Sequence, residues 1–188
     1  MTPVFLILFG IALLFGLWYI VTSNRLIAKR NRVKQCRSGI CVALKQRNDM
    51  IPNLVAAVKT YMGHENDTLT QITALRTQAA QASSESEQIQ AGNQLSALLP
   101  RLQLGLENYP ELKANQNFLH LQEAIEEMEL QLQAIRRTYN AAVVDYNNAI
   151  EMFPSSWVAA RQGHTPEALI EIPEQEQAPV DVAQLFKS

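Results

Sequence analysis

Residues 116–152 read QNFLHLQEAIEEMELQLQAIRRTYNAAVVDYNNAIEM, and apolar side chains recur there at alternating steps of three and four. This spacing keeps one face of an α-helix apolar and predicts a helix about 55 Å long. We expect Asn115 to cap its start and Phe153-Pro154 to end it. The predicted apolar face consists of Phe118, Leu121, Ile125, Met128, Leu132, Ile135, Tyr139, Ala142, Tyr146 and Ala149 or Ile150.

The same helix contains the dipeptide Tyr-Asn twice, as Tyr139-Asn140 and Tyr146-Asn147. A separation of seven residues places both tyrosines on the apolar face, with each asparagine about 100° round from it. A tyrosine can bury its ring while its hydroxyl finds a partner, and each asparagine can bond to a neighbouring helix. We expect the pair to fix the register of the helix. A surface for a partner protein is the alternative.

Shorter helical patterns precede this segment, and apolar residues nowhere alternate with the period of two that a half-buried strand requires. One helix is predicted to begin near Asp49, with Pro52 tolerated in its first turn. Another begins at Ser84, which matches a capping box with Glu87. The short connections at 81–86 and 108–115 favour antiparallel neighbours. The predicted fold is therefore all-α, a long-helix antiparallel up-and-down bundle behind an N-terminal transmembrane helix.

That transmembrane helix is predicted at residues 4–21, which contain no charged side chain and would form a helix about 27 Å long. Trp18 and Tyr19 stand near its end, where aromatic rings favour the headgroup layer of a bilayer. A cleaved signal peptide would need a basic region before the apolar stretch and a small-residue cleavage site after it. The sequence has neither, so it predicts an uncleaved single-span anchor.

Basic residues are concentrated directly after this anchor. Eight Lys and Arg residues precede Asp49, the first acidic residue, and the remaining eight stand against eighteen acidic residues, a net charge of −10. Since positive charge is retained on the cytoplasmic side, the amino terminus should face outward and the rest should lie in the cytoplasm. A chain this acidic beyond its basic block should not bind nucleic acid.

The lipid bilayer is thus the first expected partner. Anionic headgroups attract each nearby cation by about 1 kcal/mol. The candidate headgroup contacts are Arg25, Lys29, Arg30, Arg32, Lys34 and Arg37. A block that only determines topology is the alternative.

These patterns divide the chain into five parts. They are a short N-terminal end (1–3), the anchor (4–21), a basic juxtamembrane helix (22–48), the helical bundle (49–160) and a Pro- and acid-rich tail (161–188) that is predicted to be extended or partly disordered. Three arrangements of the 22–48 helix agree with the sequence: continuous with the bundle, kinked at Pro52, or a separate arm.

The catalytic and metal sites that helical bundles usually contain have no match in the sequence. No histidine follows a glutamate by three residues, as di-iron bundles require. His64-Glu65 begins a His-Glu-x-x-His motif, but Thr68 replaces the second histidine. We therefore predict no enzymatic activity, catalytic residue, cofactor or metal, and interpret His64 as a surface residue, with pH sensing as the alternative. The acidic group Glu123, Glu126, Glu127 and Glu129 is interpreted as a solvated helix face.

Three blocks follow the apolar span in a fixed order. They run from Ile51-Pro52-Asn53-Leu54-Val55 to His64-Glu65, from Tyr109-Pro110-Glu111-Leu112-Lys113 to Leu121-Gln122, and from Arg136-Arg137-Thr138-Tyr139-Asn140 to Phe153-Pro154. As an ordered set they resemble the LemA family of bacterial membrane proteins, over most of the chain from about residue 24 to 159. The motif positions Pro52, Asn53, His64, Tyr139, Asn140, Tyr146, Asn147, Phe153 and Pro154 are expected to serve the structure or a partner surface.

The resemblance implies a long-helix bundle on one N-terminal anchor whose short N-terminus faces outward. It implies no enzymatic activity, and a relative that helps to build magnetosome membranes suggests scaffolding. The first hypothesis is therefore a scaffold or adaptor that binds protein partners at the membrane, with a homo-oligomer compatible with this role. An accessory subunit of an envelope protease, transporter or membrane-remodelling system is the alternative, and an enzyme of unrecognised type ranks third.

The helix after the span departs from the family pattern. The family shows Ala-Trp-Ser-Asp-Ile-Asp-Val where residues 36–42 read CRSGICV, so Arg37 replaces an aromatic residue on the apolar face. An arginine that is buried without a partner is costly. We therefore expect this helix to pack less tightly, or Arg37 to reach lipid headgroups or a partner.

Overall fold

The computed structural model describes residues 2–62, 67–106 and 109–170 of the chain. Those residues form helices without a strand, which confirms the predicted all-α fold. The helices are α1 (Thr2–Met62), α2 (Asp67–Gln81), α3 (Glu85–Leu106), α4 (Pro110–Lys113), α5 (Gln116–Glu151) and α6 (Ser155–Arg161).

Helix α1 is continuous over 61 residues and passes through Pro52. The 22–48 segment is therefore neither a separate arm nor a separate helix. Its first part contains an 18-residue window with a mean hydropathy of 2.7, of which none is buried, so this helix is long and apolar enough to cross a membrane. From Leu26 onward the character changes, because Leu26, Val33, Ile40 and Leu44 are all fully buried. This part of α1 is thus packed through these residues, and of the two alternatives for it the contact of Arg37 with headgroups or a partner stays a prediction.

The chain divides into two compact units. The described part of unit 1 is residues 2–37 and 137–170, and that of unit 2 is residues 38–62, 67–106 and 109–136.

In unit 2, segments of α1 and α5 run antiparallel beside helices α2 and α3. Gly39 lies next to Ile135, Arg47 bonds to Glu129, and Tyr61 bonds to the cap residue Asn115. The partner positions thus decrease along α5 as the positions along α1 increase. One hydrophobic core joins all the helices of the unit. Its buried residues are Ile51, Leu54, Val58, Leu69, Ile72, Leu95, Leu98, Leu99, Leu102, Leu112, Phe118 and Ile125.

Helix ends in unit 2 follow the predicted capping chemistry. The Ser84 hydroxyl accepts a hydrogen bond from the Glu87 amide at 3.2 Å, and the Glu87 carboxylate accepts one from the Ser83 amide at 2.8 Å. Asn115 caps α5 by accepting from the amides of Asn117 and Phe118. The short helix α4 lies in the predicted connection at 108–115, and Pro110 occupies its first turn.

In unit 1, the second half of α5 lies beside the part of α1 that follows the apolar window, where Lys29 pairs with Asp145, and its predicted apolar face is buried. Tyr139, Ala142, Tyr146 and Ile150 are buried there, together with Val143. Helix α5 ends at Glu151, directly before the predicted stop at Phe153-Pro154. The chain then forms α6, turns at Gly163 with a φ of 67°, and continues without regular structure to Ile170.

Candidate functional site

The two asparagines of the Tyr-Asn repeat bind the backbone of residues 164–170, which we call the 164–170 segment. The Asn147 side-chain amide donates to the Glu167 carbonyl at 2.9 Å and accepts from the Glu167 amide at 3.0 Å. Asn140 makes the same pair of bonds with Ile170, at 2.9 and 3.0 Å. Each asparagine therefore satisfies both polar backbone groups of one residue, as a neighbouring β-strand would.

The tyrosines of the repeat add a second row of contacts to the same segment. Both rings are buried, and the Tyr139 hydroxyl donates to the Ala168 carbonyl at 2.9 Å. The Tyr146 hydroxyl lies 3.0 Å from Nδ1 of His164. We call the four residues Tyr139, Asn140, Tyr146 and Asn147 the Tyr-Asn site. The expectation that the asparagines bond to a neighbouring helix is wrong, because their partner is an extended segment.

Geometry explains the seven-residue spacing of the Tyr-Asn site. Seven residues of helix rise about 10.5 Å, and three residues of extended chain span about 10 Å. Asn140 and Asn147 are seven residues apart, and their partners Ile170 and Glu167 are three residues apart in the opposite direction. The two lengths match. A dipeptide repeated every seven residues on a helix can therefore bind every third residue of an antiparallel extended chain.

His164 begins the 164–170 segment and is held in its neutral form. Burial, followed by the positive charge of Arg30, lowers the pKa of His164 below 6.5. Burial raises the pKa of Tyr146, with Glu167 adding to the shift and Arg30 opposing it. Nε2 lies 3.2 Å from the Gln162 side-chain oxygen, which can only accept, so the neutral ring carries its proton on Nε2. Nδ1 then accepts from the Tyr146 hydroxyl.

Acidification should therefore weaken the fold around His164. The imidazole of His164 binds a proton less tightly in the folded protein than in the unfolded chain. Its contribution to the free energy of unfolding is therefore fully present above pH 6.5 and is lost as the pH falls through the folded pKa. We expect the free energy of unfolding of the full chain to fall over this range relative to a His164→Gln variant, which cannot take up the proton. Equal pH profiles of the two proteins by denaturant unfolding would contradict the interpretation.

Unit 2 contains a cluster of buried charges that sequence analysis did not identify. Arg47 of α1 and Arg136 of α5 are both 0% exposed. The Arg47 guanidinium donates to Glu129 at 2.8 Å, to Ser96 at 2.6 Å and to the Gly92 carbonyl at 2.7 Å. Glu129 also accepts from Ser96 at 2.7 Å and lies 3.9 Å from Arg136. The interpretation of Glu129 as part of a solvated face is wrong, since its side chain is only 19% exposed.

Helix α3 is shaped to admit the Arg47 side chain. A Cβ atom at Gly92 would lie 2.5 Å from Leu44 Cδ2 and 3.3 Å from Arg47 Nη2, so the helices approach closely because this residue is glycine. On the same helix, Asn93 accepts a hydrogen bond from Arg136 at 2.7 Å. The polar groups of α3 thus contact both arginines.

Two surface cavities adjoin the core of unit 2. One, of about 310 Å³, lies beside Glu129 and Ser96, and its apolar wall includes Leu99, Ile125 and Leu130. The other, of about 460 Å³, is formed where the first two sequence blocks meet. It is lined by Asn53, Ala57, Thr60, Tyr61, Leu112, Asn115, Asn117, Phe118 and Leu121. Within residues 2–62, 67–106 and 109–170, no three His, Cys, Asp or Glu side chains come together as metal ligands.

The other predicted site residues do not form one site. Arg25, Arg30, Arg32 and Lys34 are exposed, Arg37 is half-buried, and Lys29 pairs with Asp145 at 2.5 Å. Pro52 is half-buried within α1, and Asn53 is exposed on the 460 Å³ cavity. Phe153 and Pro154 are exposed between α5 and α6. His64 lies outside the described residues.

Comparison with known proteins matches this architecture to one family. A model of the LemA family matches residues 37–183. The chain is also 28% identical over 185 residues to a protein of Metamycoplasma hominis named Protein LemA, with 96% of this chain and 84% of the relative covered. The match spans the buried charge cluster, the Tyr-Asn site and the 164–170 segment. The chain belongs to the LemA family.

Proposed function

We propose that this protein is a membrane-anchored scaffold or adaptor that holds protein partners at the cytoplasmic face of a bacterial inner membrane. The observation that carries the proposal is the division of α1, whose 18-residue apolar window is entirely unburied while the rest of the helix supplies core residues. Water-exposed apolar surface of this extent is unfavourable, and a bilayer removes the cost. One continuous helix thus connects the proposed anchor to the folded body.

Charge supports the orientation in the proposal. The exposed cations Arg25, Arg30, Arg32 and Lys34 directly follow the apolar window. Lys and Arg are retained on the cytoplasmic side, where they also meet anionic headgroups. The helical body therefore lies in the cytoplasm.

A groove in unit 2 supports the binding of protein partners. Leu130 is 64% exposed at the edge of the 310 Å³ cavity, next to the apolar wall and the carboxylates of Glu126 and Glu129. An apolar floor with a polar rim is the usual form of a surface that binds a protein side chain. We assign no enzymatic reaction to the protein: in the part of the chain that the structure describes, the polar groups of the buried charge cluster and of the Tyr-Asn site bond to one another or to the chain's own backbone.

Replacing Leu130 with Asp should therefore reduce partner binding in native membranes. A photo-reactive residue at Gln133, which also lines the groove, should crosslink the full-length protein reproducibly to a partner. The Leu130→Asp change should lower the yield at least about tenfold, because a charge enters an apolar contact. Leu119→Asp, at another exposed leucine of α5, is the matched control and should leave the yield unchanged.

Two outcomes would contradict the proposal. A protein released from membranes by alkaline carbonate is not anchored by α1. An intact, membrane-bound protein that crosslinks to no reproducible partner is not an adaptor that uses this groove.

A further inference from the structure

The corner between α5 and α6 exposes three large apolar side chains. Met152 is 64% exposed, Phe153 86% and Trp157 50%. All three lie within six residues of one another, at the turn between the two helices. Single exposed apolar residues on a surface are ordinary, but three large ones within six residues, one of them in contact with the apolar span, indicate a contact with another apolar phase. We call these residues the α5–α6 corner.

The corner lies against the last turns of the apolar window of α1. The Trp157 ring centroid is 5.9 Å from that of Phe15 and 6.2 Å from that of Tyr19. Phe15 stands six residues before Val21, which corresponds to about 9 Å along the helix. The corner is therefore at the depth of the final turns of the span, below the level at which the basic residues begin.

Charged groups adjoin the corner further along α1, directly after the apolar span. A cleft of about 280 Å³ beside it is lined by Trp18 and Pro154 and also by Arg25 and Lys29. Along α1 the surface thus passes from the aliphatic Leu13 and Leu14, through the aromatic Phe15, Trp18 and Tyr19, to the cationic Arg25 and Lys29. The same order occurs in a bilayer from acyl chains through the interface to anionic headgroups.

We propose that the α5–α6 corner is a second membrane contact, which enters the boundary between headgroups and acyl chains beside the span. The inference rests on the proposed function, since it requires α1 to cross the bilayer. A bilayer is the occupant because the corner is continuous with the span at the same depth. Short amphipathic elements that carry Trp and Phe bind about 5–10 Å into this boundary. The contact holds the end of α5 and all of α6 at the membrane surface.

The chain has two tryptophans, and they report separately on the two contacts. The full-length protein is reconstituted into vesicles of phosphatidylethanolamine and phosphatidylglycerol whose acyl chains are brominated near the headgroup. Trp18→Phe leaves Trp157 as the fluorophore in the corner, and Trp157→Phe leaves Trp18 in the span. We expect bromine to quench Trp157 to within a factor of about two of Trp18, because both indoles occupy the interfacial layer.

The two variants distinguish the failures of the two proposals. Quenching of Trp18 without quenching of Trp157 overturns the second contact and leaves the anchor intact. Absence of quenching at both tryptophans overturns the anchor and, with it, the second contact. Fluorotryptophan in the unsubstituted chain provides the same comparison by NMR, through line broadening by spin-labelled lipid, if either variant fails to fold.

Discussion

Replacing Glu129 with Gln should lower the free energy of unfolding of the full chain by about 3–5 kcal/mol. Glu129 is the carboxylate that contacts both buried arginines, at 2.8 Å from Arg47 and 3.9 Å from Arg136. Glutamine keeps the shape of the side chain but removes its charge. Both guanidinium groups then stay in the interior without the anion that offsets their desolvation.

Denaturant unfolding in detergent micelles, followed by circular dichroism, measures this loss. Glu127→Gln, at an exposed position two residues away on the same helix, should change stability by less than about 0.5 kcal/mol. The double variant Arg47→Met with Glu129→Leu should recover part of the loss, since an apolar pair of similar volume can replace a buried ion pair. A single Glu129 variant as stable as the Glu127 control would show that the cluster is well solvated.

The sequence predicted helix α5 well because its apolar face is periodic along the whole segment. Periodicity does not predict which charged residues are buried. Glu129 directly follows the apolar position Met128 and looks like its exposed neighbours, but its partner Arg47 comes from α1, 82 residues away. One signal was available: Arg47 falls on the apolar face of its own helix, and a cation there requires a buried anion nearby.

The 164–170 segment was harder to predict, since it forms no regular structure. Its proline and acidic neighbours resemble a disordered tail, and bonds to side chains leave no periodic pattern in the segment itself. The signal for this segment lies instead in α5. The seven-residue spacing of the Tyr-Asn repeat corresponds to a helical rise that equals the length of three extended residues. Side-chain amides on a helix surface seven residues apart are thus a signal for a bound extended chain.

Replacing Asn147 with Ala should release the 164–170 segment from α5. The change removes both hydrogen bonds to Glu167 and leaves its backbone amide and carbonyl to water, at a cost of about 1–3 kcal/mol. Asn140→Ala should do the same at Ile170. Since the two sites are about 10 Å apart, their effects should be nearly additive in the double variant.

Hydrogen exchange of the Glu167 and Ile170 amides in the full chain measures this release directly. Each single variant should lower the protection of its own partner about ten- to a hundredfold, in proportion to the lost free energy. Asn148→Ala, at the exposed asparagine next to Asn147, is the matched control and should leave both amides protected. If the double variant keeps full protection but loses membrane crosslinks, the asparagines serve a partner surface instead. If protection and crosslinks are lost together, the Tyr-Asn site acts by holding the 164–170 segment in place. The repeat then serves to fix an extended chain on helix α5.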